Sequence, residues 1–389
     1  MTRTQHKASR ADGPPRILAV GPTPPPINGM SVATDHLLRS VVALDFELHN
    51  LDIADRRGLR NVGSLDLGNI VGALSSSARF LSALVRYRPD LVYVPVAQNA
   101  LGFLRDSLFL LPTRLLGLPL VVHIHGSTFG RFYSEAWQPM RWFVRHLLRG
   151  RVRVVVLSEG LRAIVDGIVE PSSVVVVPNG IDDFAGGLSH SSAGSPPVVL
   201  FLSTLRKEKG VLDMVRAAAL VHDAVPMAEF VFAGEWTDDG DRRLAEKLAQ
   251  DAGMTDQVRF LGVISPPEKW DLFMEADVFA LPSWAEGQPY SILEAMCAGV
   301  PVVASDVGAV SETVVDGVTG RIVAPHDVDA LAVALLDLLT DQVVRVRMGT
   351  CGRKRYLERY TAERWGQDMV SVFREAIYAG SDQCTGGNA

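Results

Sequence analysis

Two glutamates and the loop between them offer the most chemistry in this sequence. Glu286 lies in a polar loop, and Glu294 lies in the helical pattern that follows, which begins near Ser291 and ends at Gly299. Both carboxylates and the unpaired N–H groups of the first helical turn would face one pocket. Such a pocket suits a ligand that carries both hydroxyls and phosphates. A capping box between Ser291 and Glu294 is the alternative explanation for Glu294.

A second loop gathers cations ahead of a helical pattern that begins at Val211. It holds Arg206, Lys207 and Lys209, and Gly210 follows directly. Cations at the start of a helix oppose its dipole, so they cost stability unless an anion binds there. A diphosphate would be such an anion, and its best candidate partner is Lys209. A solvated turn is the alternative for this loop.

Two loops in the first half of the chain complete the set of candidates. His123 and His125 follow a buried strand pattern. Imidazole can hydrogen-bond a sugar hydroxyl or polarise a leaving group, and we expect His125 in that role and His123 in the core. Gly29 precedes a helical pattern, where a backbone N–H can approach an anion. An ordinary strand-to-helix turn is the alternative for Gly29.

The elements that must position these loops are short strand patterns that alternate with helical patterns. Runs of Val, Ile and Leu without polar alternation are typical of a parallel sheet covered on both faces. They form two sets, at 16–20, 90–94, 120–124, 153–157 and 173–177, and at 198–202, 229–233, 258–261, 278–281, 300–304 and 320–323. The sequence therefore predicts an α/β protein of two doubly wound Rossmann-like domains that face each other across a cleft.

A segment rich in Gly, Ser and Pro separates the two sets of strands and divides the chain. We predict a disordered leader at 1–15, an N-terminal domain at 16–183, a linker at 184–197, a C-terminal domain at 198–361, a C-terminal helix at 362–380, and a disordered tail at 381–389. Ligands of such sheets bind beyond the carboxyl ends of the strands, so the candidate loops should meet in the cleft.

Composition and charge exclude several classes of protein. The 389 residues are 48% hydrophobic and 21% charged, which is too apolar for a disordered chain and long enough for two domains. The net charge of -6 combines 20 basic and 15 acidic residues in 1–190 with 18 basic and 29 acidic residues beyond. Neither half is basic enough for nucleic acid to be the main partner, although the first could favour an anionic surface.

The cysteines and the apolar stretches indicate the compartment. Three cysteines without a CxxC pair are typical of a reducing environment, and neither a signal-peptide core nor a transmembrane span is expected. We therefore expect a cytoplasmic protein. The acidic run from Asp238 to Asp241 is interpreted as a solvated loop rather than a metal site, and Cys297 as an inert residue inside a helix.

Taken together, these loops resemble those of the family 4 retaining glycosyltransferases, which have the GT-B fold. The resemblance implies that the C-terminal helix at 362–380 crosses back to the first domain. The resemblance covers about residues 16–375. Its most specific part is the pair of glutamates with seven residues between them, in Glu286-Gly-Gln-Pro-Tyr-Ser-Ile-Leu-Glu294-Ala-Met. The runs 301–308 and 317–323 are similar to the stretch that follows in the family, and Val177-Pro-Asn-Gly-Ile-Asp182 resembles its interdomain signature.

The resemblance implies transfer of a hexose, with retention of configuration, from a nucleotide-diphosphate sugar to a glycan or lipid-linked acceptor in bacterial surface polysaccharide synthesis. No metal or other cofactor would be required. It implies that Glu294 binds the ribose hydroxyls, Glu286 lies near the reacting face of the transferred sugar, Lys209 neutralises the diphosphate, Gly29 donates a backbone N–H to it, and His125 contacts the donor sugar. Cations and N–H dipoles at the leaving diphosphate would stabilise the transition state selectively.

The rest of the glutamate loop and helix start is also expected at the donor: Gly287, Gln288, Tyr290, Ser291 and Ile292. A UDP-sugar is the first expectation for the donor and a GDP-sugar the second. The sequence departs from the family where Gly-Arg-Leu often precedes the Lys-Gly pair, since this chain has Ser203-Thr-Leu205 there. Either Arg206 takes over the second diphosphate contact, or Lys209 works largely alone.

Two rival functions stay open at this point. One is a sugar-nucleotide epimerase on the same fold, which the sequence around Glu286 and Glu294 disfavours. The other is a non-catalytic scaffold that binds a sugar nucleotide. The sequence leaves the base, the sugar, the acceptor and the oligomeric state open.

A run of arginines suggests a further partner. Arg141, Arg145 and Arg149 recur every four residues, with Trp137 and Trp142 nearby. A basic helix with interfacial aromatics can lie on anionic lipid, so we expect peripheral attachment at the inner face of the plasma membrane. An ordinary amphipathic helix packed on the sheet is the alternative.

Overall fold

The computed structural model describes residues 13–25, 29–56, 67–186 and 196–379. Most of the predicted leader, most of the predicted linker and the whole predicted tail lie outside the described residues. The bounds of the six segments given above stay predictions.

Six parallel strands organise the N-terminal half. They are β1 Arg16–Val20, β2 Glu47–Leu51, β3 Leu91–Pro95, β4 Leu120–His123, β5 Val152–Val156 and β6 Val174–Val176, in the spatial order β2-β1-β3-β4-β5-β6. The helices between them are α1 Gly29–Arg39, α2 Val42–Asp45, α3 Leu67–Tyr87, α4 Ala100–Leu115, α5 Phe129–Glu135 and α6 Gln138–Leu147.

A second sheet of six parallel strands organises the C-terminal half. Its strands are β7 Val198–Leu202, β8 Glu229–Ala233, β9 Val258–Gly262, β10 Val278–Leu281, β11 Val302–Ser305 and β12 Gly320–Val323, in the order β12-β11-β10-β7-β8-β9. The helices are α7 Val211–His222, α8 Asp239–Asp251, α9 Glu268–Glu275, α10 Tyr290–Ala298, α11 Val310–Thr313, α12 Val328–Thr340, α13 Gln342–Arg359 and α14 Ala362–Tyr378. The predicted pair of doubly wound α/β sheets is confirmed.

Two elements differ from the sequence expectation. The strand patterns do not include β2, because this edge strand, Glu-Leu-His-Asn-Leu, alternates exposed and covered residues instead of forming a continuous apolar run. The expected helix of Arg141, Arg145 and Arg149 is shorter than predicted, because α6 ends at Leu147 and Arg149 follows it. Pro139 stands in the first turn of α6, where a proline is tolerated because its missing N–H would have no partner.

The last helix crosses back to the N-terminal sheet, as expected. Trp365, Met369 and Phe373 of α14 are buried in one cluster with Tyr93 and Val121 of the first sheet. Phe373 meets Tyr93 edge to face, with ring centroids 5.7 Å apart. Since α1 and α2 pack in the same cluster and α3 to α6 cover the opposite face, the sheet is enclosed on both sides.

Within the described ranges, no helix combines the length and the apolarity that a membrane crossing requires.

We expect Phe373→Ala to destabilise the N-terminal half by about 3–5 kcal/mol, because it opens a cavity where a C-terminal helix closes the core. Urea unfolding measures the loss. Glu375→Ala, on the exposed side of the same helix, is the matched control and should stay close to the wild type. Equal effects of the two substitutions would show that α14 does not close this core.

Candidate active site

The loops that follow β4 and β10 touch across the cleft between the sheets. The Cα of Gly287 lies against the backbone at His125, so close that a Cβ on residue 287 would stand 2.1 Å from the carbonyl oxygen of His125. Only glycine fits such an approach. The contact brings the loop that carries Glu286 to the loop that carries His125, as the topology predicts for the carboxyl ends of strands.

A buried ion pair lies at the centre of this cleft. Lys209 Nζ donates to Glu286 Oε1 at 2.6 Å, and only 20% and 9% of the two side chains are exposed. The pair brings together two of the residues that the sequence selected, although they are far apart along the chain. In this arrangement a cation and a carboxylate neutralise each other and are both within reach of a ligand in the cleft.

The backbone around Lys209 is held by the glutamate loop. Lys207–Lys209 form a short 3₁₀ turn, and Gly210 follows with a φ of 77°, where a Cβ would stand 2.0 Å from the carbonyl oxygen of Pro282. Trp284 donates its backbone N–H to Glu208 O at 2.9 Å and its indole N–H to Asp213 at 2.9 Å. The two loops therefore form one unit that positions Lys209.

Glu294 has a partner that the sequence analysis missed. Lys269 of α9 donates to its Oε1, and the two side chains are 19% and 6% exposed. The same ammonium lies 4.5 Å from the ring centroid of Trp270. The alternative capping box is not formed, because α10 has Pro289 as its N-cap and no side-chain cap hydrogen bond. Glu294 is thus a buried carboxylate with a cationic neighbour.

His125 stacks on His123 with ring centroids 3.8 Å apart. Burial lowers the pKa of His125 to about 4, and burial together with the neighbouring ring lowers the pKa of His123 well below 6.5. Within the described part of the chain, both nitrogens of the buried His125 ring are without a hydrogen-bond partner. A neutral imidazole carries one donor and one acceptor, so His125 has both available for a ligand.

His123 lies in the core, where the sequence analysis placed it. Its side chain is fully buried, and its Nδ1 hydrogen-bonds the hydroxyl of Tyr93 at 2.9 Å. This contact holds the ring on which His125 stacks. The sequence carries no signal for the contact, because Tyr93 belongs to the neighbouring strand.

Gln288 and Tyr290 join the two halves of the molecule. Gln288 Oε1 accepts from the backbone N–H of Asn179 at 2.6 Å, and the side-chain amide of Asn179 donates to Gln288 O at 2.9 Å. Gln288 Nε2 donates to Thr313 at 3.0 Å. The hydroxyl of Tyr290 donates to Asn179 Oδ1 at 3.3 Å, and its ring meets His36 edge to face. Both side chains serve the interdomain joint at the Pro-Asn-Gly signature.

The other expected donor residues lie at the starts of two helices and in the loop of Lys209. Ser291 and Ile292 stand in the first turn of α10, where the side chain of Ile292 is in the core. Gly29 is the exposed first residue of α1. Arg206 is half exposed, with its Nε 3.9 Å from a carboxylate oxygen of Glu208. The structure thus places Arg206 at the rim rather than in the buried ion pair.

The residues set aside by the sequence analysis have structural roles. Asp238 caps α8 by accepting from the backbone N–H groups of Gly240 and Asp241. Cys297 is buried in α10, and burial raises the pKa of its thiol. In the part of the chain that the structure describes, no three His, Cys, Asp or Glu side chains are grouped as a metal site.

Two family models match the chain. The model described as Glycosyl transferases group 1 covers residues 189–355, and the model described as Glycosyl transferase 4-like domain covers residues 15–180. They meet near the linker predicted from the sequence, and together they take in both sheets.

Curated relatives include two bacterial enzymes. Alpha-D-kanosaminyltransferase of Streptomyces kanamyceticus is 28% identical over 283 residues, which are 68% of this chain and 72% of the relative. GDP-mannose-dependent alpha-(1-6)-phosphatidylinositol monomannoside mannosyltransferase of Mycolicibacterium smegmatis is 35% identical over 198 residues, which are 48% of this chain and 50% of the relative. The match therefore spans about half the length of the second relative.

Solved structures share the whole architecture. Sucrose-phosphate synthase from Thermosynechococcus elongatus matches with a TM-score of 0.75 at 20% identity, over 95% of this chain and 100% of that one. The HepE protein of Anabaena, solved in complex with UDP, matches with a TM-score of 0.69 at 18% identity, over 93% and 100%. At this identity the likeness establishes the GT-B fold.

We expect wild-type stability to fall between pH 7 and pH 5 partly because of His125. Its pKa is lower in the folded chain, about 4, than the ordinary value of 6.5, so the unfolded chain binds the proton first and stability is lost as the pH falls through that window. The His125 share is about 2 kcal/mol at pH 5. Urea unfolding at both pH values should show a smaller loss for His125→Asn, whereas the exposed control His326→Asn should behave as wild type.

We expect Lys269→Met to destabilise the chain by about 3 kcal/mol, because it leaves the carboxylate of Glu294 buried without its cation. The double variant Lys269→Met/Glu294→Gln should recover most of that loss in a double-mutant cycle of urea unfolding. Lys247→Met breaks the exposed pair with Asp251 and is the control, with an effect below about 1 kcal/mol. Additive single effects at Lys269 and Glu294 would contradict the pairing.

Proposed function

Because the chain belongs to the group 1 glycosyltransferases, family 4, and has the GT-B fold, we propose that it is a retaining hexosyltransferase. The family transfers a sugar from a nucleotide sugar. The observation that carries the proposal for this chain is the contact of the Gly287 backbone with His125, since it gathers a cation, a carboxylate and a neutral imidazole in one cleft.

The proposal assigns the diphosphate to Lys209. In the structure this ammonium is held by Glu286. When a donor binds, its diphosphate competes for Lys209, and the N–H groups of the first turn of α10 and of Gly29 add dipoles of the right sign. These groups bind more strongly as the anomeric bond breaks and negative charge grows on the leaving diphosphate, so they accelerate transfer rather than merely bind substrate.

Glu286 and His125 are assigned to the transferred sugar. Glu286 belongs to the loop that meets His125, and burial keeps the His125 imidazole neutral at physiological pH, which lets it hydrogen-bond a hydroxyl without adding a positive charge. Glu294 is assigned to the ribose hydroxyls, because a carboxylate can accept from both. The Lys269 ammonium balances the charge of this carboxylate when the ribose is bound.

The donor and the acceptor belong to the same proposal. We propose a UDP-sugar or a GDP-sugar as the donor. A GDP-sugar is supported by the Mycolicibacterium relative, whose name includes GDP-mannose. The proposed acceptor is a glycan or a lipid-linked glycan of a cell-surface polysaccharide, and the proposed location is the cytoplasmic side of the plasma membrane. The same relative acts on a phosphatidylinositol mannoside.

Glu286→Gln and Lys209→Ala should each lower the transfer rate by about a hundredfold or more, because each removes a group that acts on developing charge. The assay follows release of the nucleoside diphosphate over a panel of UDP-, GDP- and ADP-sugars, with and without glycan acceptors, and NMR determines the anomeric configuration of the product. Glu268→Gln and Lys247→Ala alter exposed side chains of the same domain and should retain wild-type rates.

The same assay separates the rival functions. An epimerase would convert the donor without releasing the nucleotide, and a scaffold would bind the donor with no turnover in any acceptor mixture. Unchanged rates in Glu286→Gln and Lys209→Ala, with donor binding intact, would refute the assignment of the site.

A further inference from the structure

An apolar surface covers the outer face of two neighbouring helices in the N-terminal half. On α3 the exposed residues Ile70, Leu74, Leu81 and Val85 follow each other at helical spacing, and α4 carries a second stripe, Leu101, Leu104, Leu108, Leu111 and Leu115. Side chains of this kind usually point into a core. Here they point away from the sheet, because other residues of the same helices, Phe80 and Phe109 among them, fill that core.

The surface continues onto the next helix of the same layer. α4 packs between α3 and α6. Trp137, the N-cap of α6, and Trp142 are 69% and 61% exposed, and the ring of Trp142 stacks on His146. We call the outer face of these three helices the α3/α4/α6 face. Its exposed apolar side chains form a contiguous patch, in contrast to the singly scattered apolar residues that are normal on a protein surface.

The charge of this face has one sign. The three helices contain six arginines, Arg79, Arg86, Arg105, Arg114, Arg141 and Arg145, and a single acidic residue, Asp106. Asp106 is fully buried and is paired with Arg105. Arg79 and Arg86 are exposed and the other four arginines are partly exposed. The layer therefore combines exposed leucines and tryptophans with arginines, and its helices present no carboxylate to the outside.

We propose that the α3/α4/α6 face binds the surface of an anionic lipid bilayer. The apolar side chains would enter the boundary between headgroups and acyl chains, and the arginines would contact lipid phosphates. A second copy of the chain fits less well, because a two-fold dimer would place this face against itself and oppose arginines with arginines. The inference extends the membrane location in the proposed function, but it concerns adsorption and not catalysis.

The α3/α4/α6 face is a broader membrane-binding surface than the arginine helix expected from the sequence. Arg141 stabilises the fold, since its guanidinium donates to the carbonyl oxygens of Ala136 and Ser134 and lies over the ring of Tyr133. The apolar stripes of α3 and α4, which the sequence analysis did not single out, would supply most of the adsorption energy. Arg86 and Arg145 would supply the preference for anionic lipid.

The test is co-sedimentation of the full chain with vesicles at low salt. Wild type should bind vesicles that contain phosphatidylglycerol and bind pure phosphatidylcholine weakly. Leu74→Glu/Leu81→Glu/Leu115→Glu should lower binding to the anionic vesicles by about tenfold or more. Val333→Glu/Val343→Glu/Val346→Glu adds the same charge at positions of similar exposure in the C-terminal half and is the matched control, which should bind almost as wild type.

The double variant Arg86→Gln/Arg145→Gln tests the contribution of charge and leaves the apolar stripes intact. It should lower binding to the anionic vesicles by about tenfold and make the remaining binding less sensitive to salt. The proposal is overturned if wild type does not bind, if the two triple-glutamate variants lose binding equally, or if wild type sediments as a dimer that the Leu74→Glu/Leu81→Glu/Leu115→Glu variant dissociates. Donor turnover with a soluble glycan acceptor is measured in parallel, so loss of adsorption and loss of catalysis are read separately.

Discussion

The close approach of the Gly287 backbone to the carbonyl of His125 is the constraint on which the site depends. A residue with a Cβ at position 287 would push the two loops apart. Because they touch, Lys209, Glu286 and His125 share one cleft although they come from three strand ends on two sheets. Asn179 and Gln288 hold the neighbouring joint with two hydrogen bonds, and α14 ties the C-terminal end of the chain to the first sheet.

Each carboxylate that we assign to the donor is paired with a lysine. Glu286 pairs with Lys209, and Glu294 pairs with Lys269. A buried carboxylate without a partner would be costly, and the paired lysine offsets that cost for each acid. The neutral imidazole of His125 adds hydrogen-bonding capacity without charge. This arrangement is consistent with a ligand that brings its own negative charge, as a nucleotide-diphosphate sugar does.

The two halves of the chain differ in the residues they expose and in the groups they contribute to the cleft. The C-terminal half, which is rich in acids, encloses most of the groups proposed to hold the donor. The N-terminal half contributes His125 to the cleft and leaves leucines, tryptophans and arginines on its outer layer. Such a layer is costly in water unless it meets a partner, which is why we connect it with the place where a lipid-linked acceptor would be found.

The sequence predicts the class of the fold and the loops that enclose the cleft, because continuous apolar strands and glycine-rich turns are local signals. The crossing of the last helix followed from the family resemblance and not from a local signal. The sequence did not predict the edge strand β2, whose polar alternation reflects its place in the sheet. Nor did it predict that Lys269 pairs with Glu294, that Gln288 joins the domains, or that the leucines of α4 face outward. Those facts depend on which distant residues share a pocket, a joint or a surface, and only the packed chain decides that.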